Sequence, residues 1–298
     1  MCRCLPRTTG TMLLLALAAV PGAAAIVEEV MVVTATVESM YGKPVTQPIT
    51  VTVFRDDDRA RAPFLVLNHG RPAQPDEYAK MGRVRYADNA RWFVSKGFAV
   101  FVPTRIGYGV TGGEDMEYSG IGSARNYPPG FEAAAQQTLR VIDLARGLPY
   151  VDGERGVLVG QSFGGSATLA AAARRPPGLV AAINFAGGGG GNPTSRPGEP
   201  SRPDLLEKTF AGYGRTTAVP CLWLYSTNDR YFGAEYPKQW FEAYRRGNAA
   251  ATFVALPPLP ASLGPDGHAT FTRNPAAWQP AVETFLDGLG FGGLKPPP

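Results

Sequence analysis

Histidine and cysteine are scarce in this chain of 298 residues, which has two of the first and three of the second. Cys2 and Cys4 lie in the first few residues, so beyond them Cys221 stands alone. An intramolecular disulfide and a cysteine metal cluster are therefore excluded from the body of the chain. Cys221, after Pro220 at the head of an apolar run, reads as a small buried hydrophobe. Surplus charge is lacking too: 29 basic residues face 25 acidic ones, and nothing resembles the basic footprint of a nucleic-acid-binding protein. No apolar run approaches the roughly 20 residues needed to span a bilayer. The longest is Met12 to Val20, preceded by Arg3 and Arg7 and followed by Pro21-Gly22 and Ala23-Ala24-Ala25. That is the pattern of a secretory signal peptide over residues 1–25, and it predicts export to the periplasm or outside the cell without stable membrane insertion. Removing it leaves 27 basic against 25 acidic residues.

Apolar residues are plentiful at 44%, enough for one sizeable core. Val30–Val37 and Ile49–Phe54 alternate as strands do. The later runs, Phe64–Leu67, Ala99–Val102, Val157–Val159, Val180–Phe185, Leu222–Tyr225 and Thr252–Leu256, are continuous and short, as in strands covered on both faces. Helix-like segments separate them at 86–96, 130–146, 162–174 and 237–247, and one more follows at 275–289. Alternating strands and helices predict an α/β domain over 26–298: a mostly parallel eight-stranded sheet with helices on both faces and an antiparallel edge. The segment 187–219 breaks this rhythm with a run of five glycines at its start, several prolines and a short helix from Pro203 to Phe210, and it reads as a lid insertion.

The chemistry-bearing stretch is Gly160-Gln161-Ser162-Phe163-Gly164-Gly165, directly after one buried run and opening an alanine-rich helix. A serine there sits on a sharp strand-to-helix turn with its oxygen exposed at the top of a sheet. A serine nucleophile needs a base, and the choice is His69 or His268. His268, in a loop after the last strand, follows the chain order serine, acid, histidine. Asp229, ending the run from Cys221, is the candidate acid; Asp266 is the rival, while Asp143, Asp152 and Asp204 read as solvated. Candidate oxyanion donors are the backbone N–H groups of Phe163 and of Arg71, the latter in Asn68-His69-Gly70-Arg71-Pro72. Arg105, Tyr108 and Arg71 are candidates to line a pocket and meet a substrate carbonyl or carboxylate, and Ser166 reads as a packing residue.

These motifs, with Pro103-Thr104-Arg105-Ile106-Gly107-Tyr108-Gly109, resemble the α/β-hydrolases, most of all the branch of dienelactone-hydrolase-like and prolyl-oligopeptidase-like serine hydrolases. The resemblance spans nearly all of the chain beyond the leader. It implies a serine hydrolase of small carboxylic esters with no metal or organic cofactor, and gives the histidine at position 69 a supporting role beside the oxyanion loop. Dienelactone hydrolases proper use cysteine where Ser162 stands, so their substrate is not implied. Two alternatives remain open: a small serine peptidase of the prolyl-oligopeptidase type, and a non-catalytic binding module on the same fold.

Overall fold

The computed structural model describes residues 26–292, so the expected signal peptide lies outside the described residues. Eight strands form one sheet: β1 (Ile26–Glu38), β2 (Pro44–Asp56), β3 (Ala62–Asn68), β4 (Ala99–Thr104), β5 (Val151–Gln161), β6 (Leu179–Phe185), β7 (Cys221–Ser226) and β8 (Ala251–Leu256). Their order is β1-β2-β4-β3-β5-β6-β7-β8, antiparallel from β1 to β4 and parallel from β4 to β8. The exchange of β3 and β4 places β3 and β5 side by side, pairing Asn68 with Gly160 at their C-terminal ends. That neighbourhood brings the Asn68–Pro72 loop against the turn at Ser162.

The continuous apolar runs are explained by the pleat. Along β3, Phe64 and Val66 enter one core and Leu65 and Leu67 the other, so no position can be polar. The larger core is covered by α2 (Tyr127–Arg146), α3 (Phe163–Ala173), α4 (Pro203–Thr216) and α5 (Tyr236–Arg245). The second is closed by α1 (Ala87–Ser95), the short α6 (Thr270–Arg273) and α7 (Gln279–Gly288) around Phe93, Phe271 and Trp278. No helix among the described residues is long and apolar enough to cross a membrane.

Two sequence expectations need correction. Residues 203–216 are not part of a lid: α4 is a covering helix whose Phe210 stacks on Phe131 and meets Trp223 edge-on in the main core. The irregular insertion shrinks to 187–202. The final helical stretch is split, because Pro275 and Pro280 each lack an N–H and each opens its own segment, a 3-10 turn at Pro275–Ala277 and then α7.

Candidate active site

Ser162 is buried at the junction of β5 and α3, with φ 59° and ψ −126°. This is a conformation side chains other than glycine rarely adopt. The turn is held by Ser162 N–H donating to Phe185 O at 2.9 Å, and by a helix that cannot retreat. A Cβ at Gly160 would lie 2.1 Å from Gly164 O, and one at Gly164 would lie 2.3 Å from Asn68 O. Only glycine lets α3 approach β3 and β5 this closely.

Asp229 follows β7, with its carboxylate fully buried. Its Oδ2 lies 2.9 Å from His268 Nδ1, while Oδ1 accepts the backbone N–H groups of Tyr231 at 2.7 Å and Phe232 at 3.0 Å. A carboxylate oxygen accepts, so Nδ1 is the donor of this pair and Nε2 is the ring nitrogen left over. Nε2 has no partner among the described residues. His268 lines the same recess as Ser162, a space of about 220 Å³ also lined by Gly70, Arg71, Met81, Tyr86, Gln161 and Tyr231.

Asp266, the rival acid, does something else. Its Oδ1 accepts the backbone N–H groups of His268 and Arg230, both at 2.9 Å, and so caps the turn that presents the histidine. Gln161 assists from the opposite side, donating to His268 O at 3.2 Å and accepting from Tyr86 OH at 3.2 Å. Below, Asn89 Nδ2 and Trp278 Nε1 both donate to Phe271 O, at 2.8 and 3.0 Å, tying the following turn to α1 and to the start of α7.

The two histidines differ in their partners. His69 is wholly buried; its Nδ1 lies 2.6 Å from Gly70 O and its Nε2 accepts Arg105 N–H at 3.2 Å. Burial, aided by the Arg105 charge, pushes its pKa well below the ordinary histidine value, so the ring is neutral. Both nitrogens are occupied, and the ring serves to hold the Gly70–Arg71 peptide. Neither Arg71 N–H nor Phe163 N–H has an acceptor among the described residues, the latter because the first N–H of a helix has no intrahelical partner.

Arg105 and Tyr108 are corrections. Neither lines the recesses that border Ser162; both are buried, where Arg105 pairs with Glu117 and Tyr108 OH donates to Glu117 Oε2 at 2.6 Å. The loop 105–117 folds over them, so a position that looked like a pocket rim in sequence is its foundation. Arg71 does reach the cavity. Its guanidinium makes paired bonds of 2.6 and 2.5 Å to Asp115, donates to Tyr108 OH at 3.0 Å, and lies 4.5 Å from the Tyr78 ring centroid.

A larger recess of about 300 Å³ opens on the other side of Ser162, between the 71–78 loop, the 115–127 segment and Gly188–Asn192. Arg125, Tyr127 and Arg196, which the sequence did not single out, line it together with the glycine run of the segment expected as a lid. Tyr231 borders both recesses and lies flat on His268. Only the irregular composition of 187–202 hinted at this wall, and nothing in the sequence pointed to Tyr231. Among the described residues no three His, Cys, Asp or Glu side chains gather as metal ligands would.

No protein-family model matches the chain, and no curated protein matches it. Solved structures do. The acetyl xylan esterase from Paenibacillus sp. R4 superposes with a TM-score of 0.56 at 16% identity, covering 89% of this chain and 88% of its own. A dienelactone hydrolase-like promiscuous phosphotriesterase from metagenomic libraries gives 0.52 at 14%, over 88% and 98%. The acylaminoacyl peptidase of Pyrococcus horikoshii gives 0.55 at 13%, over 88% of this chain but only 41% of its own. Identities this low speak to architecture, and the architecture is the α/β-hydrolase fold.

Proposed function

We propose that this chain, built on the α/β-hydrolase fold, is a serine hydrolase of carboxylic esters. The observation that carries the reading is His268: Nδ1 is bound to the buried Asp229, Nε2 has no partner among the described residues, and the residue lines a recess together with Ser162. In the mechanism Ser162 Oγ attacks the ester carbonyl as His268 Nε2 takes its proton. Asp229 holds the imidazole in the required tautomer and stabilises its protonated form. The N–H groups of Phe163 and Arg71 meet the oxyanion, Phe163 with the added field of the α3 N-terminus. His268 returns the proton to the departing alcohol, and water, activated by the same nitrogen, releases the acid and restores Ser162. We read the leader pattern of residues 1–25 as placing this activity outside the cytoplasm.

Hydrolysis of a short p-nitrophenyl ester tests the reading. Wild-type protein is expected to turn it over and to be labelled at Ser162 by a fluorophosphonate; Ser162→Ala is expected to do neither. Turnover by folded Ser162→Ala at the wild-type rate would sink the proposal. Aminoacyl-p-nitroanilides run alongside separate an esterase from a peptidase.

A further inference from the structure

The larger recess has an unbalanced charge. Of its lining carboxylates, Asp115 is paired with Arg71 and Glu117 with Arg105. Arg125 and Arg196 line the same space, and neither has an ion-pair partner among the described residues. Arg125 lies over the Tyr127 ring, 5.5 Å from its centroid, and its Nε is buried with no acceptor among the described residues. Burial pushes the Tyr127 phenol up to about 12, against the opposing pull of the Arg125 and Arg196 charges, so the ring beside Arg125 is neutral.

The glycine wall adds donors. The carbonyls of Gly187, Gly188 and Gly190 are taken by Tyr225 OH at 2.7 Å, Ser166 Oγ at 3.3 Å and Ser201 N–H at 3.0 Å, and Gly189 O, 3.2 Å from Tyr127 OH, shares that hydroxyl's proton with the nearer Ser201 O. By contrast, the N–H groups of Gly188 to Gly191 have no acceptor among the described residues, although all four residues line the recess. A concavity with two unmatched guanidiniums and a row of unanswered amides is built to receive negative charge.

The position of His268 decides which half of an ester that charge belongs to. The group that protonates the leaving alcohol borders the smaller recess and is absent from the lining of the larger one, so the acyl half occupies the larger. At about 300 Å³ this space is at the low end for ligand sites. We propose that the enzyme selects esters whose acyl half carries a second, ionised carboxylate: hemiesters of short dicarboxylic acids, held by Arg125, Arg196 and the Gly188–Gly191 amides. This rests on the hydrolase reading only for the assignment of the acyl half.

The test uses the full-length protein with the p-nitrophenyl hemiester of adipic acid, the corresponding methyl p-nitrophenyl adipate, and calorimetric binding of adipate itself. The hemiester is expected to have a kcat/KM about tenfold or more above the neutral diester, chiefly through KM, and the preference is expected to shrink as salt is raised. The double variant Arg125→Gln/Arg196→Gln is expected to bring the ratio of the two esters to about one and weaken adipate binding about tenfold, with an unchanged circular dichroism spectrum. Equal rates for the two wild-type esters, or adipate binding untouched in the folded double variant, would overturn the anion site and leave the esterase reading standing. Adipate bound through the two arginines with neither ester hydrolysed would have the opposite meaning.

Discussion

The imidazole of His268 lies flat on the ring of Tyr231, with centroids 4.1 Å apart and planes 23° from parallel. Tyr231 is held there by the same Asp229 whose other oxygen faces His268 Nδ1, since Oδ1 accepts its backbone N–H. One carboxylate therefore orients the imidazole twice, once by a hydrogen bond and once through the ring it pins against it. Phe232, with its ring edge-on to His268 at 5.2 Å, completes the seat.

Removing the stack while keeping the backbone should misplace the base. Tyr231→Ala is expected to lower kcat about tenfold, the order of effect of loosening an aligned catalytic group, whereas Tyr231→Phe should stay near the wild-type value. Steady-state kinetics on a p-nitrophenyl ester decides it, and equal losses in both variants would assign the effect to the hydroxyl.

The two candidate acids should separate sharply. Asp229→Asn keeps an oxygen for Tyr231 and Phe232 but points an amide donor at His268 Nδ1, favouring the wrong tautomer; kcat should fall by about 10⁴. Asp266→Asn retains an oxygen for the cap and should cost at most a few-fold in kcat, roughly the loss of ~1 kcal/mol.

Ser162 has a positive φ that glycine accepts without strain. Ser162→Gly is expected to abolish turnover and to raise the free energy of unfolding by ~1 kcal/mol, read from urea titration. A less stable variant would mean that the turn is relaxed as it stands.

If Arg105 is foundation and not pocket, its loss should register in stability before specificity. Arg105→Met leaves Glu117 charged and buried, at a cost of about 3–5 kcal/mol. Adding Glu117→Gln removes the stranded charge while still accepting from Tyr108, and should recover part of that loss in the same urea titration.

Acid should loosen the tie between β1 and the segment that carries Arg83 and Arg85. Hydrogen bonds from Arg85 and Arg83 hold the Glu28 carboxyl down to about 2, below its ordinary value of 4.5. Its contribution is therefore complete above the unfolded value and is lost as pH falls toward the folded one. Being partly exposed, the cluster is worth ~1 kcal/mol or less. The stability difference between wild type and Glu28→Gln should be present at about pH 6 and close between about pH 5 and pH 2.

Much of the fold was legible because strands covered on both faces cannot hide: Phe64–Leu67 and Leu222–Tyr225 are apolar at every position for want of a solvent face. The placement of Ser162, Asp229 and His268 could be read because turn glycines and chain order are local signals. What failed depended on packing between distant segments. Arg105 looked free until Glu117, twelve residues on, folded over it; α4 looked like part of a lid because its partners Phe131 and Trp223 lie far away in sequence. Tyr231 carried no pattern at all, since its role comes from an Asp229 oxygen that no spacing rule describes.

The run Gly187–Gly191 would, in isolation, be the most mobile part of the chain. Here Tyr225 from β7, Ser166 from α3, Tyr127 from α2 and the Ser201 backbone each fasten one of its carbonyls. The conformational entropy of these glycines is thus surrendered once, during folding, and a substrate arriving at the finished wall has none of it left to quench. Association should then proceed without a slow closing step, and the progress of each turnover should be timed by acylation or deacylation at Ser162, not by the opening and shutting of a gate.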